Sequence, residues 1–445
     1  MKDISILNDV LGPIMRGPSS SHTAASHAIG AWARALLSEE VRRAEITFRD
    51  DSSYAVCFRR QGSDQGFAAG LLGWDLTDPR FPQAVALAPD SGLDVRFGVG
   101  ALPDDEHPNA VCLRLTGASG REITIMARST GGGMFEVTSV EGTHCSIRGP
   151  EPMPKAGTPP FASVREMTAW MGRSRMGAGE AGLLYEAALL GVDAQVARTE
   201  MLKRFTVMRN AVHEGLKPDG EPMILLERSA CSIYEAEAAR RVAVGGMHTR
   251  AAARAMAAMH TNCSMGIVCA APTAGSAGVL PGVLVTLSDE MKASESDIVR
   301  CMFAAGLIGM FIAERATFAA EVAGCQVEIG AASAMAAAAV VEFAGGTAAQ
   351  ACDAAAVSLQ NTMGSVCDLV QGVVEIPCHT RNAVNASSAF VVADLSLGGY
   401  RNPIPLDETI DAVLAVGRMM PEELRVTSRG GIAVAPSALT MKPRR

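Results

Sequence analysis

RGPEPMPKAGTPP, residues 148–160, packs five prolines and two glycines into one short run. Proline removes backbone donors and glycine loosens the chain, so the run reads as a linker between two unlike halves. On its N-terminal side EITFRD (45–50), LDVRFGV (93–99), AVCLRLTG (110–117), REITIMARS (121–129) and MFEVTSV (134–140) are rich in β-branched residues and bounded by Gly, Asp or Pro. They are predicted strands. AASHAIGAWARALL, entered through hydroxyl residues suited to an N-cap, and QGFAAGLLGW (65–74) are predicted helices. On the C-terminal side strand signals almost vanish. FASVREMTAW, AGLLYEAALLGVDAQVARTEMLKRFTVMRNAVHEGL and SAMAAAAVVEFAGG carry helical propensity and partial helical periodicity. The expected architecture is an α+β domain over 1–147, a linker over 148–160 and a mostly all-α domain over 161–445, with no evident internal repeat.

The 445 residues are 48% hydrophobic, 19% charged and 4% aromatic, with 44 Gly and 23 Met. That length allows more than one domain, and the composition excludes wholesale disorder and suits closely packed helices of small residues. A formal net charge of −8 without a basic stripe removes the phosphate-neutralising term that nucleic-acid binders need, so no nucleic-acid partner is expected.

MKDISILNDVLG has acids where a secretory leader needs positive charge and lacks a long apolar core, so a cytoplasmic protein is expected. Ile267 to Leu287 carries no charge until the following acids and is long enough to span a bilayer. Pro272, Thr273, Gly275, Ser276, Gly278, Pro281 and Gly282 break it, so a buried loop and helix, and no membrane partner, are expected. Eleven cysteines in such a chain point to free thiols or thiolate ligands rather than a disulfide framework.

Three stretches carry chemistry. GPSSSHT, 17–23, sets three hydroxyls, an imidazole and free N–H groups where they can surround one anion; an ordinary N-cap with a surface histidine uses the same residues. AAPTAGSAG, 270–278, with Asn262 and Ser264 upstream, lets backbone approach a ligand, with Thr273 and Ser276 able to hold a carboxylate. A glycine-rich helix crossing explains it equally, and the phosphate-loop lysine is absent. Cys325 in AGCQVEIG, Cys367 in GSVCDLVQG and Cys378 in EIPCHTRNA lie in turn-like polar surroundings, unlike Cys57, Cys112 and Cys301. Three such thiolates can hold three irons of a [4Fe-4S] cluster and leave the fourth open as a Lewis acid. Zinc or inert thiols fit the same local pattern.

GPSSSHT, SMGIVCAAPTAGSAGVLPG, GCQVEIGAASAMAAAA and CDLVQGVVEIPCHTRNAVNA, in that order, make the chain resemble the iron-sulfur-dependent L-serine dehydratases, or L-serine ammonia-lyases, with β-type and α-type segments fused. The resemblance runs along nearly the whole chain. It implies a [4Fe-4S] cluster with one open iron site on Cys325, Cys367 and Cys378, and Lewis-acid-assisted β-elimination of water from L-serine to give pyruvate and ammonia. It places His22, Ser20 and Ser21 in the catalytic machinery. It places Ser19, Thr23, Thr273, Gly275, Ser276, Gly278, Arg381 and Asn382 about the substrate, with an ion pair as the alternative for Arg381; Arg16 and Gln61, where the sequence departs from the family, are further substrate-binding candidates. Pyridoxal phosphate is not expected, because none of the six lysines, at 2, 155, 203, 217, 292 and 442, stands in a cofactor-like setting. A homodimer is the default assembly, and oxygen lability goes with an open iron.

The sequence also departs from the family. Its GHGTD or GHATD segment is RQGSD here, with Gln61 at the histidine position, and glutamine takes up no proton, so His22 or another group must be the base. Arg16 precedes GPSSSHT where an apolar residue is usual, and Arg59 and Arg60 flank Gln61. These guanidinium groups suit a second carboxylate, as in 3-hydroxyaspartate, or they pair with Asp50, Asp51 or Asp64 at the surface. Threonine, cysteine and a silent amino-acid or redox sensor are the other readings. No ACT-like module is expected after residue 147, nor a capping cysteine after Cys378. ERSACSIYEAEAA, 227–239, replaces a Gly-Gly-Asp-type turn with no evident physical consequence.

Overall fold

The computed structural model describes residues 3–50, 52–102, 107–149, 151–172, 174 and 176–444. Its N-terminal half is built on a six-stranded sheet of β2 (Val41–Arg49), β3 (Asp94–Gly100), β4 (Ala110–Gly117), β5 (Glu122–Gly131), β6 (Met134–Val140) and β7 (Thr143–Arg148), in the order β3-β2-β4-β5-β6-β7. β2 and β3 run parallel and the other pairs antiparallel. β4 and β6 have the bounds the sequence suggests. β2 starts four residues early, at Val41, because its charged outer residues hide the alternation that buries Ala44, Ile46 and Phe48. β7 is almost wholly exposed and so carries no apolar signal.

The helices Ala25–Leu37 and Ser63–Leu72 cover this sheet, with Ile29, Ala33, Leu37, Phe67 and Leu71 packed on Ile46, Phe48, Leu113 and Ile125. The two helices touch backbone to backbone. A Cβ on Gly70 would stand 2.3 Å from the His27 carbonyl oxygen, so only glycine permits this approach.

The segment from Ile6 to Leu11 belongs to the other half. Ile6, Leu7, Val10 and Leu11 are buried in the helical core, and the Glu186 carboxylate accepts from the Ile6 and Leu7 amides at 2.7 and 3.0 Å. A short strand, β1 (Ile14–Arg16), then pairs antiparallel with β8 (Ile267–Cys269) of the helical half. Three-residue strands leave too little pattern to read from sequence. GPSSSHT thus leaves a ribbon of the helical half and enters the first helix of the sheet half, which fixes it at the junction.

The helical half centres on Glu295–Arg315 and Ile329–Phe343. Both helical segments, Glu295–Arg315 and Cys325–Phe343, are long and apolar enough to cross a membrane, but 78% and 89% of their apolar windows are buried by neighbouring helices. The continuous helical reading over 181–216 splits into Ala178–Leu190 and Ala194–Leu216, because Gly191 turns left-handed at φ +67° and Asp193 caps the next helix. Ile267–Leu287 forms β8, a tight turn and the start of the buried helix Val279–Glu290. ERSACSIYEAEAA forms the helix Ala230–Ala238. All eleven cysteines are free thiols.

Candidate active site

Cys325 opens a single turn just before the helix Ile329–Phe343, and Cys378 is the first residue of the helix Cys378–Leu397. Cys367 lies on an extended segment held by a bridge to Arg425: its amide donates to the Leu424 carbonyl at 2.8 Å and its carbonyl accepts from Val426 at 2.9 Å. The three thiols line one cavity at the junction of the halves. Cys325 Sγ, Cys367 Sγ and a Glu328 carboxylate oxygen lie within 4.8 Å of one another.

Arg381, one turn along from Cys378, hydrogen-bonds to Cys325, forms a 3.0 Å ion pair with Asp368 and donates to the Val366 carbonyl at 2.7 Å. The hydrogen bond from Cys367, aided by Arg381, holds the Cys325 thiol below the ordinary range. Cys367 is pushed well up by giving that bond and by burial, and Cys378 chiefly by burial. Burial and the neighbouring Cys325 and Glu321 push the Glu328 carboxyl well up; the Thr273 hydroxyl partly offsets this. Three convergent thiols with a cationic neighbour suit the three-cysteine ligation of an iron-sulfur cluster, and the residues fit that group.

From the sheet half, Ser19, Ser21 and Gln61 face the same cavity. Gln61 Nε2 donates to the Gly372 carbonyl at 3.2 Å, tying the sheet half to the Cys367 loop. His22 is fully buried behind these hydroxyls and does not line the cavity. Its Nδ1 lies 3.0 Å from Ser21 Oγ and 3.3 Å from Ser19 Oγ, and its Nε2 lies 3.3 Å from Ser53 Oγ. Burial holds its pKa down at about 4, with Glu321 opposing the shift.

Other sequence candidates serve the frame. Ser20 Oγ accepts the Ala274 amide at 3.3 Å, and the Thr23 hydroxyl donates to the Gln61 carbonyl at 2.7 Å. Ser276 closes a capping box with Thr273. Asn382 accepts the Gly278 and Val279 amides and donates to the Gly275 and Cys378 carbonyls, which clamps the 273–279 turn to the helix carrying Cys378. A Cβ on Gly278 would stand 2.5 Å from the Ala255 carbonyl oxygen, so that glycine serves helix packing, whereas Gly275 lines the cavity.

The arginine reading is corrected. Arg16 donates to the carbonyls of Asp78, Met265 and Thr77 and lines a separate cleft with Glu214, Glu221 and Arg228. Arg59 lies over the Phe58 ring and near Asp64. Among the described residues that line the thiol cavity there is no arginine. Asp51 lies outside the described residues.

Two acids that sequence reading passed over, Glu321 and Glu328, line the cavity. They flank Cys325 four residues before and three after. That spacing is visible in the sequence, but only the fold brings both side chains to the cavity.

Residues 104–433 match the family model described as serine dehydratase alpha chain. A probable L-serine dehydratase alpha chain of Bacillus subtilis is 40% identical over 238 residues, 54% of this chain and 79% of that one. The L-serine dehydratase alpha chain of Peptoniphilus asaccharolyticus is 41% identical over 209 residues, 47% and 72% of the two chains. An L-serine dehydratase of Mycobacterium bovis is 29% identical over 456 aligned positions, 94% of this chain and 95% of that one.

Proposed function

The chain belongs to the serine dehydratase alpha-chain family, and from that premise we propose that it is an iron-sulfur-dependent L-serine ammonia-lyase, giving pyruvate and ammonia by β-elimination. The observation that carries this reading is the convergence of Cys325, Cys367 and Cys378 on one cavity closed by the GPSSSHT segment. The three thiolates would hold a [4Fe-4S] cluster, whose open iron supplies a Lewis acid for the substrate hydroxyl, an otherwise poor leaving group.

The protein's own groups do the rest. Arg381 offsets negative charge at the thiolates and takes its position from Asp368. Ser19, Ser21 and Gln61 offer hydroxyl and amide groups to the substrate's polar ends, and Gly275 lets backbone approach it. Burial of the cavity between the halves keeps bulk water from these hydrogen bonds and strengthens them. A monoacid such as L-serine fits this lining better than 3-hydroxyaspartate, since the guanidinium beside the thiols, Arg381, is already paired with Asp368 and no arginine is among the described lining residues.

The test is anaerobic reconstitution, iron and sulfide analysis, and ammonia release from L-serine, L-threonine, L-cysteine and 3-hydroxyaspartate, with Cys367→Ala as control. We expect L-serine to be preferred and both iron and activity to be lost in the control. Full iron retention in Cys367→Ala would overturn the ligand set, and preference for the diacid would overturn the substrate.

A further inference from the structure

Elimination needs a base at the substrate's α-carbon, and the glutamine at position 61 leaves that role open. Two carboxylates face the cavity. Glu328 is engaged with the Cys325 and Cys367 group and with the Thr273 hydroxyl. Glu321 stands apart from the thiols. Its Oε1 accepts the Ser21 hydroxyl at 2.7 Å and lies 3.7 Å from His22 Nδ1, while its Oε2 accepts no hydrogen bond among the described residues.

Glu321 also borders an outer cleft, shared with Arg49, Ser53, Glu422 and Arg425. No other residue lines both this cleft and the thiol cavity among those described. His22 has the opposite setting. It is sealed behind Ser19 and Ser21, both ring nitrogens are engaged, and Tyr54 packs edge-on at 4.9 Å.

We propose that Glu321 is the catalytic base that removes the substrate's α-proton, with Ser21 and His22 as positioning residues that hold its carboxylate toward the cavity. This rests on the elimination reading above. The Cα–H electron pair becomes the Cα=Cβ bond, the Cβ–O pair departs with the hydroxyl oxygen, and the proton goes to Glu321. The carboxylic acid then releases its proton to water in the outer cleft, and the departing hydroxide takes one up, so charge balances.

The test uses the reconstituted full-length protein. Glu321→Gln keeps an acceptor for Ser21 but cannot take a proton. It is compared with His22→Gln and the parent by ammonia release, by α-hydrogen exchange of L-serine and of L-alanine in D₂O followed by proton NMR, and by calorimetric L-alanine binding. L-alanine has no leaving group, so its exchange reports proton removal alone. We expect Glu321→Gln to lose about 10²- to 10⁴-fold in kcat and in exchange, with KM and the L-alanine Kd near the parent's, and His22→Gln to keep measurable exchange. Parent-rate exchange in Glu321→Gln, or exchange lost in His22→Gln and kept in Glu321→Gln, overturns the assignment.

Should Glu321→Gln fail to assemble, Glu321→Asp decides. A carboxylate drawn back by one methylene should raise the isotope effect on kcat with α-deuterated L-serine, and an unchanged effect overturns the proposal. A parent that neither releases ammonia nor exchanges the α-proton overturns the functional reading and this one together. An active parent with an undiminished Glu321→Gln overturns Glu321 alone.

Discussion

Ser21 Oγ donates a 2.7 Å hydrogen bond to Glu321, a residue 300 positions away and on the other half of the molecule. Both side chains are buried, so the bond forms only when the sheet half is seated on the helical half. The Gly131–Gly133 hairpin tip helps seat it: a Cβ on Gly131 would lie 3.1 Å from Ala319, two residues before Glu321. The cavity is therefore a product of docking, with the thiols on one side and the serine-rich segment on the other.

Ser21→Ala removes the donor from a buried carboxylate and leaves the acceptor unpaired. Hydrogen bonds to charged groups contribute about 1.5–3 kcal/mol, so a stability loss of that order is expected in urea titrations, together with a fall in kcat. A variant with parent stability and parent kcat would show that the bond does not matter to either.

Cys367→Ala and Cys301→Ala separate ligands from core thiols. Cys301 is buried within the helix Glu295–Arg315, and its thiol is pushed up to about 12, chiefly by burial. Iron per chain after reconstitution should collapse in Cys367→Ala and stay at the parent level in Cys301→Ala, about four irons. Equal loss in both would point to general unfolding instead.

Arg16→Gln tests the corrected arginine. The guanidinium bridges three backbone carbonyls from two segments and stays away from the thiols. Its replacement should lower stability by about 1–3 kcal/mol through those unpaired carbonyls while the ratio of rates on L-serine and 3-hydroxyaspartate stays constant. A change in that ratio with stability intact would restore Arg16 as a specificity residue.

How much of this was legible follows from the range of the interactions. The strands β4 and β6 and the helix Ala25–Leu37 are local patterns, and the sequence shows them almost to the residue. The embedding of Ile6 to Leu11 in the helical core is not local, since it depends on Glu186 far along the chain. In the site, the cysteines could be singled out by their polar settings, though only the family resemblance made them one ligand set. His22 was legible as a special residue, but its place behind Ser19 and Ser21 was not. Glu321 was unreadable because what distinguishes it is a partner across the domain junction.

The buried histidines set the response to acid, and His260 isolates the effect outside the cavity. It is fully buried on the helix Met247–Cys263, with Nδ1 3.4 Å from the Gly215 carbonyl and its ring 5.3 Å from that of His379. Burial, with His379 and Arg228 adding to it, lowers its pKa from 6.5 to about 3. Above pH 6.5 neither the folded nor the unfolded chain protonates this ring, and its contribution to stability is fully present. As the pH falls below 6.5 the unfolded chain gains a proton that the folded chain refuses until about pH 3, so that contribution is lost across this window. The loss runs at about 1.4 kcal/mol per pH unit for one such group. His22 and His379, each held at about 4 chiefly by burial, act in the same direction. Urea midpoints of the parent and His260→Gln at pH 7, 6 and 5 should therefore converge as the pH falls, because glutamine has no proton to gain. Parallel lines would mean that His260 is already protonated in the folded protein, which would require a counter-charge or solvent access at its ring.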